Sequence, residues 1–285
     1  MEKWIGRVAL VTGASAGFGE SIAKRLVEHG MKVVGCARNI EKIQTLSESL
    51  KGAKGTLTAI QCDISKEDQI SAMFEKIKKD FGGVDVCINN AGLSYNAPLL
   101  SGTTEQWRHM LDVNVLGLCI CSREAVKSMK ERGVDDGHII LMSSMSGHRV
   151  VPNASHIHFY AATKYAVKAL TEGLRNEVCE MKSHIRVTSV SPGLAKTEFS
   201  HRLFKDDIER ADKRYSGIQA ISPGMARTEF THRLFADDIR KAELEYGDCK
   251  AMTADDVTDS VIYALSAPTH VQVHDILIRP TECPY

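Results

Sequence analysis

An apolar run, a glycine-rich turn and a helical pattern follow one another without a break in the first 30 residues. Arg7–Thr12 reads as a β-strand, and Thr12-Gly13-Ala14-Ser15-Ala16-Gly17-Phe18-Gly19 as a turn. Gly17–His29 reads as a helix with Ile22, Leu26 and Val27 at helical spacing, closed by Gly30. Glycines at such a junction permit a tight turn and let backbone approach a pyrophosphate closely. A helix N-terminus adds unpaired N–H groups and the positive end of a dipole. The order strand, glycine turn, helix is far more telling than the turn alone.

The same rhythm continues. Strands are expected at Lys32–Ala37, Gly55–Ile64, Val84–Ile88, Ile139–Ser143 and Ile185–Val190, with a short final one at Ile276–Ile278. Helices are expected over Glu41–Leu50, after Ser65 as N-cap, over about 111–130, and over Phe159–Met181; Gly92–Gly102 reads as loop. The strands lack polar alternation, as strands buried on both faces do. Parallel strands joined by right-handed helical crossovers give an α/β fold. The expectation is one Rossmann-type domain over residues 1–285, a doubly wound parallel sheet of about seven strands with helices on both faces.

Composition narrows the functional classes. Hydrophobic residues make up 43% and charged residues 25%, which suits a globular chain with a full core. Net charge is zero, so neither a nucleic-acid partner nor an anionic membrane surface is expected. No apolar run reaches membrane-spanning length, and no apolar signal segment precedes the first strand. The eight cysteines are scattered, several in strand-like runs, and form no CxxC pair. They read as buried small hydrophobes in a reducing, cytoplasmic setting, with no metal site.

The C-terminal half contains a duplication. Ser222–Tyr246 repeats Ser191–Tyr215 at an offset of 31, with 16 of 25 positions identical. Two copies are too few to close a solenoid. The plain reading is one segment duplicated inside a single domain, at about 216–246; the functional reading is an enlarged lid. Only one copy can follow a central strand. The first has the better claim, because Ile185–Val190 is richer in β-branched residues than Ile218–Ile221. The second copy should then be a surface insertion, helical near Asp237–Tyr246.

The second strand ends Gly35-Cys36-Ala37-Arg38-Asn39. A site for NAD normally places Asp or Glu there, against the ribose 2′-hydroxyl. This chain offers Arg38 instead, whose planar fork suits a phosphate. NADP is therefore expected over NAD.

Together with the turn at Thr12–Gly19, three further motifs stand in order: Asn89-Asn90-Ala91-Gly92, Tyr160-x-x-x-Lys164 and Ser191-Pro192-Gly193. In sequence and spacing the chain resembles the short-chain dehydrogenase/reductase family along nearly its whole length, apart from about 216–246. The runs MSSMSGHRVVP, FYAATKYAVKALTEGLRNE and ILIRPTE resemble a subgroup that includes insect farnesol dehydrogenase-like enzymes. The resemblance implies a catalytic set of Asn114, Ser144, Tyr160 and Lys164. It implies a cofactor site at Gly13, Ser15, Gly17, Phe18 and Gly19, with Arg38, and Asp63 on the adenine amino group. Asn90 and Ala91 would flank the adenine ribose, Gly92 would belong to the same cofactor site, and Pro192, Gly193 and Thr197 would meet the nicotinamide. Pro223, Gly224 and Thr228 of the second copy compete for that last role.

These residue types suit hydride chemistry. Charge builds on the substrate oxygen, so a proton donor is needed there. A phenol ordinarily titrates near 10, too high for easy proton exchange at neutral pH, and a nearby ammonium favours its charged form. Tyr160 and Lys164, four apart, share a helix face. Lys164 would also hold the nicotinamide ribose, Ser144 the substrate oxygen, and Asn114 a water leading from Lys164 to solvent. Taken alone, each has a structural reading as helix surface, strand-end turn or buried polar group. His156 and His158 read as loop residues and Tyr165 as packing.

The expected pocket is lined by Leu93 and Tyr95, by Val150, Val151 and His156, and by Leu194 and Phe199. It points to a lipophilic alcohol or ketone, and the subgroup to farnesol-like prenyl alcohols or hydroxysteroids, hence lipid or steroid metabolism. In this family the two long helices build a dimer, so a homodimer or homotetramer is expected. Two rivals remain: a non-catalytic NADP(H)-binding protein blocked by its duplicated segment, and a scaffold with no ligand.

Overall fold

The computed structural model describes residues 1–152, 154–193, 195, 221–222, 225–226 and 252–281. Seven strands form one parallel sheet: β1 Val8–Thr12, β2 Lys32–Ala37, β3 Thr56–Gln61, β4 Val86–Asn89, β5 His138–Met142, β6 Arg186–Pro192 and β7 Asp275–Ile278. Their order is β3-β2-β1-β4-β5-β6-β7. The chain moves outward from β1 to β3, then crosses back to β4 on the other side of β1. That reversal opens a crevice beyond the carboxyl ends of β1 and β4, where doubly wound sheets bind their ligands.

Every residue of β1, β4 and β5 is buried. The reason is a core on each face. Ala9 and Val11 pack with Ile22, Leu26 and Val261 on one side, whereas Val8 and Leu10 pack with Ile70, Phe74 and Leu118 on the other. A strand with apolar neighbours on both sides has no use for polar alternation.

The helices are α1 Gly17–Glu28, α2 Glu41–Ser49, α3 Glu67–Phe81, α4 Thr104–Leu111, α5 Leu118–Glu131, α6 His158–Glu180 and α7 Ala254–Ser266. Three expectations change. Ser65 does not cap α3; Lys66 holds that position, and Ser65 gives both its N–H and its hydroxyl to Asp63 Oδ1. The helix expected from about 111 starts at Thr104, where Thr103 and Gln106 form a reciprocal capping box. It is also not uniform: Asp112–Gly117 forms a π-helical segment between α4 and α5. Finally, α7 has no counterpart among the expected elements, although Thr253 and Asp256 cap it and Val257, Val261 and Leu265 bury its face.

The strand between β5 and β7 is Arg186–Pro192, which runs into the first copy of the duplication. From the second copy and its approach, Ile221–Ser222 pairs antiparallel with Met225–Ala226, apart from the main sheet. The remainder of 216–246, including the helix expected at Asp237–Tyr246, lies outside the described residues.

Candidate active site

The glycine turn joins β1 to α1 at the crevice. Gly19 is held there by contact: a Cβ would come within 2.3 Å of the Gly13 carbonyl oxygen and 2.5 Å of Asn90 Nδ2. The N-cap of α1, Ala16, has no side chain to offer, so the first N–H groups of the helix keep their donors. By contrast, α4 and α7 carry full capping boxes. An N-terminus without a side-chain cap, behind a turn of mostly small residues, fits an anionic ligand. Phe18 contributes differently, since its ring packs against the core.

Asn90 and Ala91 serve the turn from across β4. Thr12 Oγ1 accepts from the Asn90 and Ala91 N–H groups at 3.0 and 2.9 Å. Asn90 Nδ2 donates to the Thr12 carbonyl at 2.8 Å and to that of Gly13 at 3.2 Å. The Asn90 amide, expected to flank a ribose, is thus a clamp on the glycine turn. Thr12, the strand end that opens the turn motif and had no side-chain role assigned, is the hub of the clamp.

Arg38 is exposed at the end of β2, and its guanidinium has no partner among the described residues. It lies near Asp63, whose carboxyl sits below its ordinary range. Partial burial opposes that shift, but the two Ser65 bonds and the charges of Arg38 and His109 outweigh it. Asp63 is therefore a carboxylate poised to accept hydrogen bonds beside an unpaired cation. These residues, with the open end of α1, could hold the adenosine and pyrophosphate of a dinucleotide.

Lys164 is 4% exposed. Its Nζ lies 5.7 Å from the centre of the Tyr160 ring and donates to the Met142 carbonyl at 2.8 Å. Burial lowers its pKa from 10.5 to about 8. Gly92 lies beside this group: a Cβ there would stand in ordinary contact, 3.5 Å from Asn114 Oδ1 and 3.6 Å from Lys164 Nζ. Asn114 is fully buried in the π-helical segment, a distortion common at functional sites. Its Oδ1 accepts from the Leu93 N–H at 2.9 Å, and its Nδ2 donates to the Leu93 carbonyl at 2.8 Å and Thr163 Oγ1 at 3.1 Å. The Asn114 side chain therefore pins the loop after β4, and Thr163 is a partner that the motifs did not flag.

Ser144 leaves β5 and caps the 3₁₀ turn Met145–Gly147, its Oγ accepting from the Ser146 N–H at 3.1 Å. That bond uses the oxygen, and the hydroxyl hydrogen has no acceptor among the described residues. The turn packs directly on α6 beside Lys164. Tyr160 packs against an apolar cluster of Val151, Ala154 and Ile157.

Other expected pocket residues divide. The Tyr95 hydroxyl lies 2.7 Å from His109 Nδ1 on α4. The His156 carbonyl accepts from the Ala97 N–H. His158 opens α6, and its Nε2 lies 3.0 Å from the Val151 carbonyl. Val150 and Tyr165 are exposed, so Tyr165 is not the packing residue expected. Pro192 ends β6 and Gly193 follows it, its N–H bonded to the Ile278 carbonyl. Leu194, Thr197, Phe199, Pro223, Gly224 and Thr228 lie outside the described residues.

Residues 7–208 match the family described as short chain dehydrogenase. Over 284 residues the chain is 52% identical to dehydrogenase/reductase SDR family member 11 of Gallus gallus, with 99% of both chains covered. It is 38% identical to farnesol dehydrogenase of Aedes aegypti, with 98% of both covered. The closed form of serine dehydrogenase complexed with NADP+ aligns with a TM-score of 0.77 at 30% identity, covering 98% of this chain and 96% of that one.

Proposed function

This chain belongs to the short-chain dehydrogenase/reductase family, whose members are oxidoreductases, and we propose that it is an NADP(H)-dependent alcohol dehydrogenase and carbonyl reductase acting on lipophilic substrates. The observation that carries the reading is the buried Lys164 ammonium set against Tyr160 beside the turn that bears Ser144.

The chain's own groups divide the work. Tyr160 donates its hydroxyl proton to the substrate oxygen as a carbonyl becomes an alcohol, and recovers it in the reverse direction. Ser144 directs its hydroxyl hydrogen at the same oxygen, with its own oxygen fixed by the Ser146 N–H. Lys164 stabilises the negative charge left on the phenol oxygen, and its remaining N–H donors suit ribose hydroxyls. Asn114 holds the Leu93 backbone, which keeps the space beside Lys164 in shape for the water leading to solvent. The nicotinamide, when bound, supplies or accepts the hydride. Gly13, Ser15, Gly17, Phe18 and Gly19 would present backbone to the pyrophosphate, Asp63 would hold the adenine, and Pro192 and Gly193, with Thr197 by its place in the motif, would hold the nicotinamide.

Arg38 supports NADP over NAD, since an exposed guanidinium follows β2, where sites for NAD place an acid, and its fork suits a phosphate. The apolar cluster around Tyr160 supports a lipophilic alcohol or ketone, and the likeness to a farnesol dehydrogenase supports a prenyl alcohol, with a hydroxysteroid as the other class. A homo-oligomer and a cytoplasmic setting belong to the same reading; among the described residues no helix is long and apolar enough to cross a membrane.

The test is a panel of ketones, aldehydes and alcohols, including farnesol and hydroxysteroids, assayed with NADP(H) and NAD(H). The wild type should turn over a member of the panel. Tyr160→Phe should bind NADPH as before and lose about 100-fold or more of kcat. Full activity in that variant would remove Tyr160 as the proton donor, and NADPH binding without any turnover would favour the non-catalytic alternative. Arg38→Asp should weaken NADPH and improve NADH; an unchanged ratio would detach Arg38 from the phosphate.

A further inference from the structure

His148 follows the turn capped by Ser144, and its imidazole touches three elements. Nδ1 lies 3.3 Å from Lys168 Nζ on α6. Nε2 lies 3.0 Å from Ser191 Oγ near the end of β6 and 3.3 Å from Asp275 Oδ2 at the start of β7. An ammonium can only donate. Nδ1 is therefore the acceptor, and the ring proton sits on Nε2. That proton goes to Ser191 Oγ, with Asp275 as second acceptor, and the Ser191 hydroxyl donates to Asp275 Oδ1 at 3.2 Å. One tautomer satisfies the whole chain from lysine to carboxylate.

The two ends of this chain matter for chemistry. Gly147, next to His148, packs so tightly on α6 that a Cβ would meet the Lys164 carbonyl oxygen at 2.7 Å. The histidine is thus anchored to the Ser144 turn and to the helix of Tyr160 and Lys164. Ser191 is fully buried and directly precedes Pro192-Gly193. We propose that His148 is a positioning residue, which fixes the turn bearing Ser144 against the strand end that opens the nicotinamide segment. It rests on the functional reading above. Its consequence is the alignment of substrate oxygen and reacting carbon, to which rates are steeply sensitive.

The test compares wild type, His148→Leu, His148→Gln and Lys168→Met as full chains, with kcat, both KM values and the melting temperature measured for each. His148→Leu should lower kcat about tenfold or more, with KM for the ketone little changed. His148→Gln should recover most of that loss, because its amide N–H reaches toward Ser191 and Asp275 as Nε2 does. Lys168→Met, at an exposed position, should lower kcat by about twofold or more by releasing Nδ1. A His148→Leu chain as fast as wild type, or a glutamine variant as slow as the leucine one, overturns the proposal. If the leucine variant does not fold, Lys168→Met decides it, and unchanged kcat there overturns it. A wild type that binds NADPH without turnover would instead overturn the functional reading, and this role with it.

Discussion

Lys164 shows how a single side chain trades stability for chemistry. Its folded pKa of about 8 lies below the ordinary 10.5, because burial penalises the ammonium. The folded chain thus binds this proton more weakly than the unfolded chain. The penalty is full below pH 8, amounts to about 3 kcal/mol, and falls away between pH 8 and 10.5. Lys164→Met should therefore melt higher than wild type at pH 7 without cofactor, by about 5 °C, and lose most of that advantage by pH 10. A difference that stays constant with pH would contradict the buried charge. The Tyr160–Lys164 pair was legible in the sequence, because spacing of four on a helix fixes a shared face. The clamp centred on Thr12 was not, since its partners are 78 and 79 residues away.

At the scale of elements, α1 and the chain that follows β4 divide the labour. The N-terminus of α1 forgoes a side-chain cap, and Asn90, after β4, braces the turn in front of it. Gly19→Ala tests this arrangement. Alanine favours a helix interior over glycine by about 1 kcal/mol. Here the added methyl would sit 2.3 Å from a backbone oxygen, and relieving such an overlap costs about 1–3 kcal/mol or more. The variant should lose stability despite its better propensity, and bind NADPH about tenfold more weakly as the turn shifts. Unchanged affinity would separate the brace from the ligand site. The start of α4 was available in the sequence as Thr103-x-x-Gln106, and that of α7 as Thr253-x-x-Asp256. The π-helical segment at Asn114 was not, because local propensity carries no signal for the bonds Asn114 makes to Leu93 and Thr163.

For the whole molecule, all seven strands of the sheet come from outside 216–246. We read the chain as one dinucleotide-binding domain carrying a duplicated segment, whose second copy is not needed by the sheet. Exposed apolar side chains recur on α4, the π-helical segment and α6, among them Leu111, Leu116 and Tyr165. Such side chains suit contact with another copy. Sedimentation should show a dimer or tetramer, and Leu116→Glu should shift it toward monomer; a wild type that sediments as monomer would refute this assembly.

The sequence alone determined the alternating strands and helices, the seven-stranded parallel sheet and the glycine turn, because periodicity and turn chemistry act over a few residues. It also marked Tyr160 and Lys164 by their spacing and Arg38 by its place after the second strand, while Ser144 and Asn114 came from the resemblance to the family. Only the tertiary structure decided that Ser65 serves Asp63 rather than α3, that Asn90 braces the turn, and that His148 joins α6, β6 and β7. Those are choices among hydrogen-bond partners distant in the chain, and they exist only once the sheet has brought the partners together.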